Sequence, residues 1–253
     1  MKPRIIFFSL FLAGLSQSLA FAASLETDFQ KANQLYREGK FSDSILIYEN
    51  LAKTYPNRSS IDFNLGNAYF RDGKIGRSIL AYERAKFLNP RDQDVRYNLS
   101  HVNELLEYRI KDKRNWYIQW GEKILGYFSV HEILLAFLLS YGLFMLSLIY
   151  TALFRRGLEW GGLRTALLTL VIFLGVLYGV KHVQTHVIRE AIVMARDAEV
   201  HYGPSETDQV ALRLGEGLKV YVVDHRENWS RVWLTNGESG WMPEDQMAEV
   251  RLS

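Results

Sequence analysis

Cysteine is absent from the chain, which excludes disulfides, thiol catalysis, Cys-ligated zinc and a lipid-modified N-terminal cysteine. No Walker loop, GxSxG elbow or dinucleotide fingerprint occurs either. Paired acids such as Glu244-Asp245 have no second catalytic group set opposite them in sequence. An enzyme is therefore not expected, and no cofactor is expected. Residues ionisable at neutral pH are missing from two apolar runs, 133–154 and 165–180, which removes the intramembrane acids and bases that a proton relay or ion path requires. Strong net charge is lacking as well, at +2 for 253 residues, but the balance is uneven: from Arg189 onward seven Lys/Arg stand against twelve Asp/Glu. Such an acidic segment repels phosphates, so nucleic acid is not an expected partner.

The apolar runs organise what is present. At about 1.5 Å per residue the run 133–154 reaches roughly 33 Å, enough to cross a hydrocarbon core of about 30 Å. The second span, 165–181, can be extended back to Gly161 because the only added charge, Arg164, has a stem long enough to snorkel. Buried helices of a soluble protein seldom lack a polar face over so many turns. Trp116, Tyr117, Trp120 and Tyr127 precede the first span and Trp160 lies in the connection, where amphipathic rings favour the interface. The segment 113–132 reads as an interfacial linker and 155–164, with Arg155, Arg156 and Arg164, as a cytoplasmic loop. His182 and His186, four apart, have a metal-like spacing without a third ligand. They are read as headgroup-facing, and no metal site is expected.

Lys2 and Arg4 precede an apolar run, 5–15, and Ala20 and Ala22 form an A-x-A site. Residues 1–22 thus read as a secretory signal peptide, with an uncleaved anchor as the alternative. Two spans put both flanking segments on one side of the membrane. Translocation of the N-terminus makes that side extracytoplasmic, so the expected location is the inner (cytoplasmic) membrane with both domains outside or in the periplasm.

From Leu25 the sequence repeats every 34 residues, in the pairs Gly39/Gly73, Ser44/Ser78, Ile45/Ile79, Tyr48/Tyr82 and Pro56/Pro90. That period belongs to helix-turn-helix repeats. Small Gly66, Ser78 and Ala85 let paired helices approach while Leu65, Tyr69 and Tyr82 fill the seam. The second copy resembles the tetratricopeptide (TPR) consensus. The first departs from it at Lys31, where an apolar residue is usual, and at Leu51, where a small one is usual. Val95, Leu99, Val102 and Leu106 form the stripe of a capping helix. The TPR domain is expected over 23–112. Its resemblance implies a groove on the first helix of each repeat, lined by Asn33, Tyr36 and Arg37 and again by Asn67, Phe70 and Arg71. Phe29 stands where the carboxylate-clamp lysine would be, so the match to that clamp is partial.

After the second span the pattern alternates: Leu218, Val220 and Val222 face one way and Lys219, Tyr221 and Val223 the other, as in a half-buried strand. Asn236-Gly237 between two apolar stretches predicts a two-residue type I′ hairpin. Gly203-Pro204-Ser205, Gly215-Glu216-Gly217, Trp229, Val232, Gly237 and Gly240-Trp241 resemble a bacterial SH3-like (SH3b) domain, expected over 189–253. Tyr202, Tyr221, Trp229, Trp233 and Trp241 are candidate partner-stacking residues, some of which must instead fill so small a barrel.

The fold class read from the sequence is thus a multidomain membrane protein: an all-α TPR solenoid, a transmembrane α-hairpin and an all-β SH3-like barrel. This order of modules resembles the BatE proteins of the bacterial aerotolerance (Bat) group. The resemblance implies a scaffold or adaptor in an envelope assembly, with membrane-anchored von Willebrand A domain proteins, other Bat components and a MoxR-type ATPase as associates, and with membrane lipid around the hairpin. The alternative is peptidoglycan peptide binding or sensing through the barrel.

Overall fold

The structure, a computed structural model, describes residues 24–154 and 161–251. The expected signal peptide, Arg155, Arg156 and Trp160 lie outside the described residues. The chain divides into two compact units, Met1–Glu107 with Gly215–Leu218 and Tyr108–Leu214 with Lys219–Ser253.

The first unit is helical, with α1 (24–37), α2 (Phe41–Thr54), α3 (Ser59–Arg71), α4 (Ile75–Leu88) and α5 (Gln93–Glu104). The turns after α1 and α3 are copies of one another. Gly39 and Gly73 both have φ +78, a left-handed conformation that glycine adopts without steric cost. Lys40 N–H bonds the Leu35 carbonyl and Gly39 N–H that of Tyr36; in the second copy Lys74 N–H bonds the Tyr69 carbonyl and Gly73 N–H that of Phe70. This is the Schellman closure. The start of α5 is capped differently, by the Asp92 carboxylate accepting from Asp94 and Val95 N–H at 3.0 and 3.2 Å.

Ile45, Tyr48 and Leu51 of α2 pack with Ile61, Leu65, Ala68 and Tyr69 of α3. Between α3 and α4 the approach is close: a Cβ on Gly66 would lie 2.7 Å from the Tyr82 ring, and the Ser78 hydroxyl donates to the Gly66 carbonyl at 2.9 Å. In the first copy Ala32 stands at the glycine position. Buried Ser44, at the position of Ser78, has no hydrogen-bond partner among the described residues. Leu51 is 1% exposed and fits a packed position, while Lys31 is simply exposed. Val95, Leu99 and Val102 are buried as expected, but α5 ends at Glu104, so Leu106 lies beyond the helix rather than on its stripe.

The second unit begins with α6 (Trp116–Leu125), α7 (Val130–Phe154) and α8 (Gly161–His186). The helices α7 and α8 are long and apolar enough to cross a membrane. They pack side by side, with the Phe137 ring at Gly175. The helix α8 overruns the expected 165–181 at both ends. A reciprocal capping box starts α7: Ser129 N–H donates to the Glu132 carboxylate at 2.9 Å and Glu132 N–H to the Ser129 hydroxyl at 3.2 Å, satisfying two otherwise orphaned donors.

An antiparallel sheet follows, with strands β1 (Arg189–Val193), β2 (Ala198–His201), β3 (Val210–Leu214), β4 (Lys219–Arg226), β5 (Trp229–Trp233), β6 (Ser239–Pro243) and β7 (Met247–Glu249). Their spatial order is β3-β2-β6-β5-β4-β1-β7. Val220 and Val222 are buried with Ile192, Val200, Val232, Leu234 and Met242 while Val223 is exposed, as the alternation predicts. The β5–β6 turn differs from expectation. Leu234 N–H bonds the Glu238 carbonyl and Gly237 N–H that of Leu234, and only Gly237, at φ +94, is left-handed. This is a three-residue loop ending in a glycine bulge rather than a two-residue type I′ turn. Asn236 keeps a negative φ because its side-chain oxygen accepts from Glu238 N–H at 3.0 Å.

Candidate functional site

On the helical unit the residues singled out by the repeat fall on an amide ladder. The Asn33 Oδ1 accepts from the Tyr48 hydroxyl at 2.6 Å and from Asn64 Nδ2 at 3.3 Å. One repeat later the Asn67 Oδ1 accepts from Tyr82 at 2.6 Å and from Asn98 Nδ2 at 2.8 Å. Burial pushes both phenols up to about 12, so at neutral pH they stay protonated and serve as donors. That pins each asparagine oxygen inward and turns its Nδ2 outward. The asparagines thus tie α1 to α3 and α3 to α5, a structural duty that their selection as groove residues did not anticipate.

The aromatic and basic members lie beside the ladder. Tyr36 meets Phe41 edge-on at 5.5 Å, and the Arg71 guanidinium sits over the same Phe41 ring at 5.0 Å, within cation–π range. Phe70 meets His101 at 5.8 Å. Arg37 and Arg71 are exposed. The structure therefore brings Tyr36 and Arg71, from successive repeats, to one ring. Phe41, Asn64, Asn98 and His101 were missed by the sequence reading, although Asn64/Asn98 also recur at 34 residues.

The sheet separates the five candidate aromatics. Trp241 is 7% exposed with Arg226 over its ring at 5.1 Å, and it belongs to the core. Tyr221 and Trp233 pair at 5.8 Å. Burial raises the Tyr221 hydroxyl above the ordinary phenol value, with Lys219, Glu190, Glu122 and Arg114 acting on it electrostatically. Tyr202 is 69% exposed. Trp229 packs edge-on against buried His201 at 5.3 Å and walls a groove of about 720 Å³ with Asn228, Glu206, Glu244, Asp245 and Glu249. An aromatic wall among carboxylates suits an amine-bearing or otherwise cationic group.

Beside the groove, His225 Nδ1 lies 2.8 Å from Glu244 and 2.9 Å from the Ser230 hydroxyl, while its Nε2 faces Arg189 at 3.3 Å. A hydrolytic triad needs serine and acid on opposite ring nitrogens. Here both share Nδ1 and Ser230 is fully buried, so the cluster ties strands together. His182 and His186 stack at 4.2 Å, and His186 Nδ1 turns to the His182 carbonyl at 3.2 Å. Among the described residues no group of three or more His, Asp or Glu side chains is set to hold a metal ion.

No curated protein matches the chain. The antiparallel sheet of short strands is consistent with a family match at the C-terminal end of the chain: residues 196–247, from just before β2 to the first residue of β7, match the bacterial SH3 domain.

Proposed function

We propose that the chain is a membrane-anchored scaffold that takes protein segments along the face of α1, α3 and α5, these helices being TPR repeats of a domain spanning 23–112. The amide ladder carries this reading. With each Oδ1 of Asn33 and Asn67 engaged from within, the outward Nδ2 groups are spaced donors for the backbone carbonyls of an extended segment. Exposed Arg37 and Arg71 supply charge for its carboxylates. The order of modules, which resembles the BatE proteins, supports membrane-anchored von Willebrand A domain proteins as partners and an extracytoplasmic setting for both domains. The barrel domain is taken as 189–253, because β1 lies outside the family match yet pairs with both β4 and β7.

Asn67→Ala would unseat Tyr82 and Asn98, so the arginines make the cleaner test. Full-length protein carrying Arg37→Glu and Arg71→Glu should lose co-purification of solubilised membrane proteins while keeping its helical circular dichroism. Undiminished capture by the folded double variant overturns the reading.

A second reading, cell-wall peptide binding by the barrel, is favoured by the acid-lined groove at Trp229 and by the bacterial SH3 domain match. Sedimentation with isolated peptidoglycan should then be lost in Trp229→Ala. Equal sedimentation of that variant counts against it.

A further inference from the structure

The helix α6 has no buried residue, and Trp116 is 76%, Trp120 62% and Tyr117 56% exposed. At about 100° per residue, Trp116, Tyr117, Trp120 and Ile124 fall within an arc of about 100°, with Glu122 nearly opposite. Exposed aromatics concentrated on one side of a helix mark a contact surface rather than scattered surface hydrophobes. On the other side Glu122 is engaged. Arg114 joins Glu122 at 2.6 Å and Asp112 at 2.7 Å, and Lys113 N–H donates to the Thr235 carbonyl of the β5–β6 turn at 3.3 Å.

Two observations set the level of α6 relative to the spans. Lys181 of α8 donates to the Leu125 carbonyl, at the C-terminus of α6, at 2.9 Å, where a cation is also favoured by the helix dipole. The polar capping box of Ser129 and Glu132 starts α7 only a short turn after α6 ends at Leu125. Charged and capping groups of this kind mark the ends of a span, at the headgroups. On the membrane-spanning reading of α7 and α8, we propose that α6 lies in the lipid–water interface, its aromatic face among headgroups and upper acyl chains and its opposite face bracing the barrel. The occupant of the aromatic face is a bilayer leaflet, continuous with the lipid around the hairpin. Lys123, at the edge of the arc, is placed to meet lipid phosphates. The barrel follows α8 after only Val187 and Ile188, so it is held at the membrane surface from two directions.

The cysteine-free chain permits spin labels at single introduced cysteines in the full protein, reconstituted into vesicles of phosphatidylcholine and phosphatidylglycerol. Labels at Trp116, Trp120 and Ile124 should collide more often with oxygen than with a water-soluble nickel chelate, and a label at Gln119 should show the reverse. Preference for nickel at all four positions would place the face in water and overturn the proposal. Shielding of the three from both reagents would place protein there and overturn it equally. In parallel, unlabelled Trp116→Phe/Trp120→Phe protein should lose part of the quenching that brominated lipids produce in the native chain. Unchanged quenching also overturns the proposal.

Discussion

At the position of Gly66 the two copies of the helical repeat differ by one methyl group, since the first copy carries Ala32. Gly66 admits Tyr82, and Ser78 reaches a carbonyl, while in the copy with Ala32 buried Ser44 has no partner among the described residues. Ser44→Ala should therefore leave stability unchanged or raise it by up to about 1 kcal/mol, whereas Ser78→Ala should lower it by about 1 kcal/mol. Chemical denaturation followed by circular dichroism distinguishes the two. Gly66→Ala should cost about 1 to 3 kcal/mol through overpacking against the Tyr82 ring. In the sheet, Gly237→Val forces a β-branched side chain into the left-handed region at φ +94. A cost of roughly 1 to 3 kcal/mol is expected, and an unchanged melting transition of the sheet would count against the glycine bulge.

At the scale of elements, α3 carries a buried carboxyl, Asp62, whose charge depends on pH. Burial pushes the Asp62 carboxyl up to about 6, with Arg84 acting against that rise. Burial likewise lowers the Arg84 guanidinium from its ordinary value, opposed by Asp62. Because the Asp62 value stands above the 3.8 of an ordinary aspartate, the folded unit binds this proton more tightly than the unfolded chain. Its contribution is greatest below the ordinary value and is lost as pH rises through the folded value. Thermal melts across that window should show the native protein losing stability relative to Asp62→Asn as pH rises. A constant difference between the two proteins would indicate that Asp62 ionises normally in the fold.

For the whole molecule, the proposed two-span topology and signal peptide predict that the helical segment and the C-terminal sheet are both reached from outside the cell. Cysteines at exposed Ser60 and Glu206 should react with a membrane-impermeant thiol reagent in intact spheroplasts. One at Gly157 should stay protected until the membrane is permeabilised. Protection of either external site, or labelling at Gly157, reverses the topology. The proposed bracket formed by α6 adds an independent expectation: Arg114→Ala removes the bonds to Asp112 and Glu122 and should increase barrel mobility without weakening membrane anchorage, as read by spin labels on β4.

Local patterning by itself determined a large share of this protein. Apolar runs without charge define α7 and α8, the 34-residue period defines α1 to α4 with their glycine turns, and strict alternation defines β4, because each is a property of neighbours in sequence. Capping and turn details were less legible: Asn236-Gly237 announced a turn, but the bond from Glu238 N–H to Asn236 selected its type. Contacts between residues 15 to 31 apart decided the sites. Asn33 and Asn67 look like free groove donors in the sequence, and only packing against Tyr48, Tyr82, Asn64 and Asn98 commits their oxygens inward. The aromatics of the C-terminal segment have equivalent sequence credentials, yet the folded sheet buries Trp241, pairs Tyr221 with Trp233 and leaves Trp229 at a groove. Side-chain chemistry is written locally, but which polar atoms remain available to a partner depends on which neighbours the fold supplies.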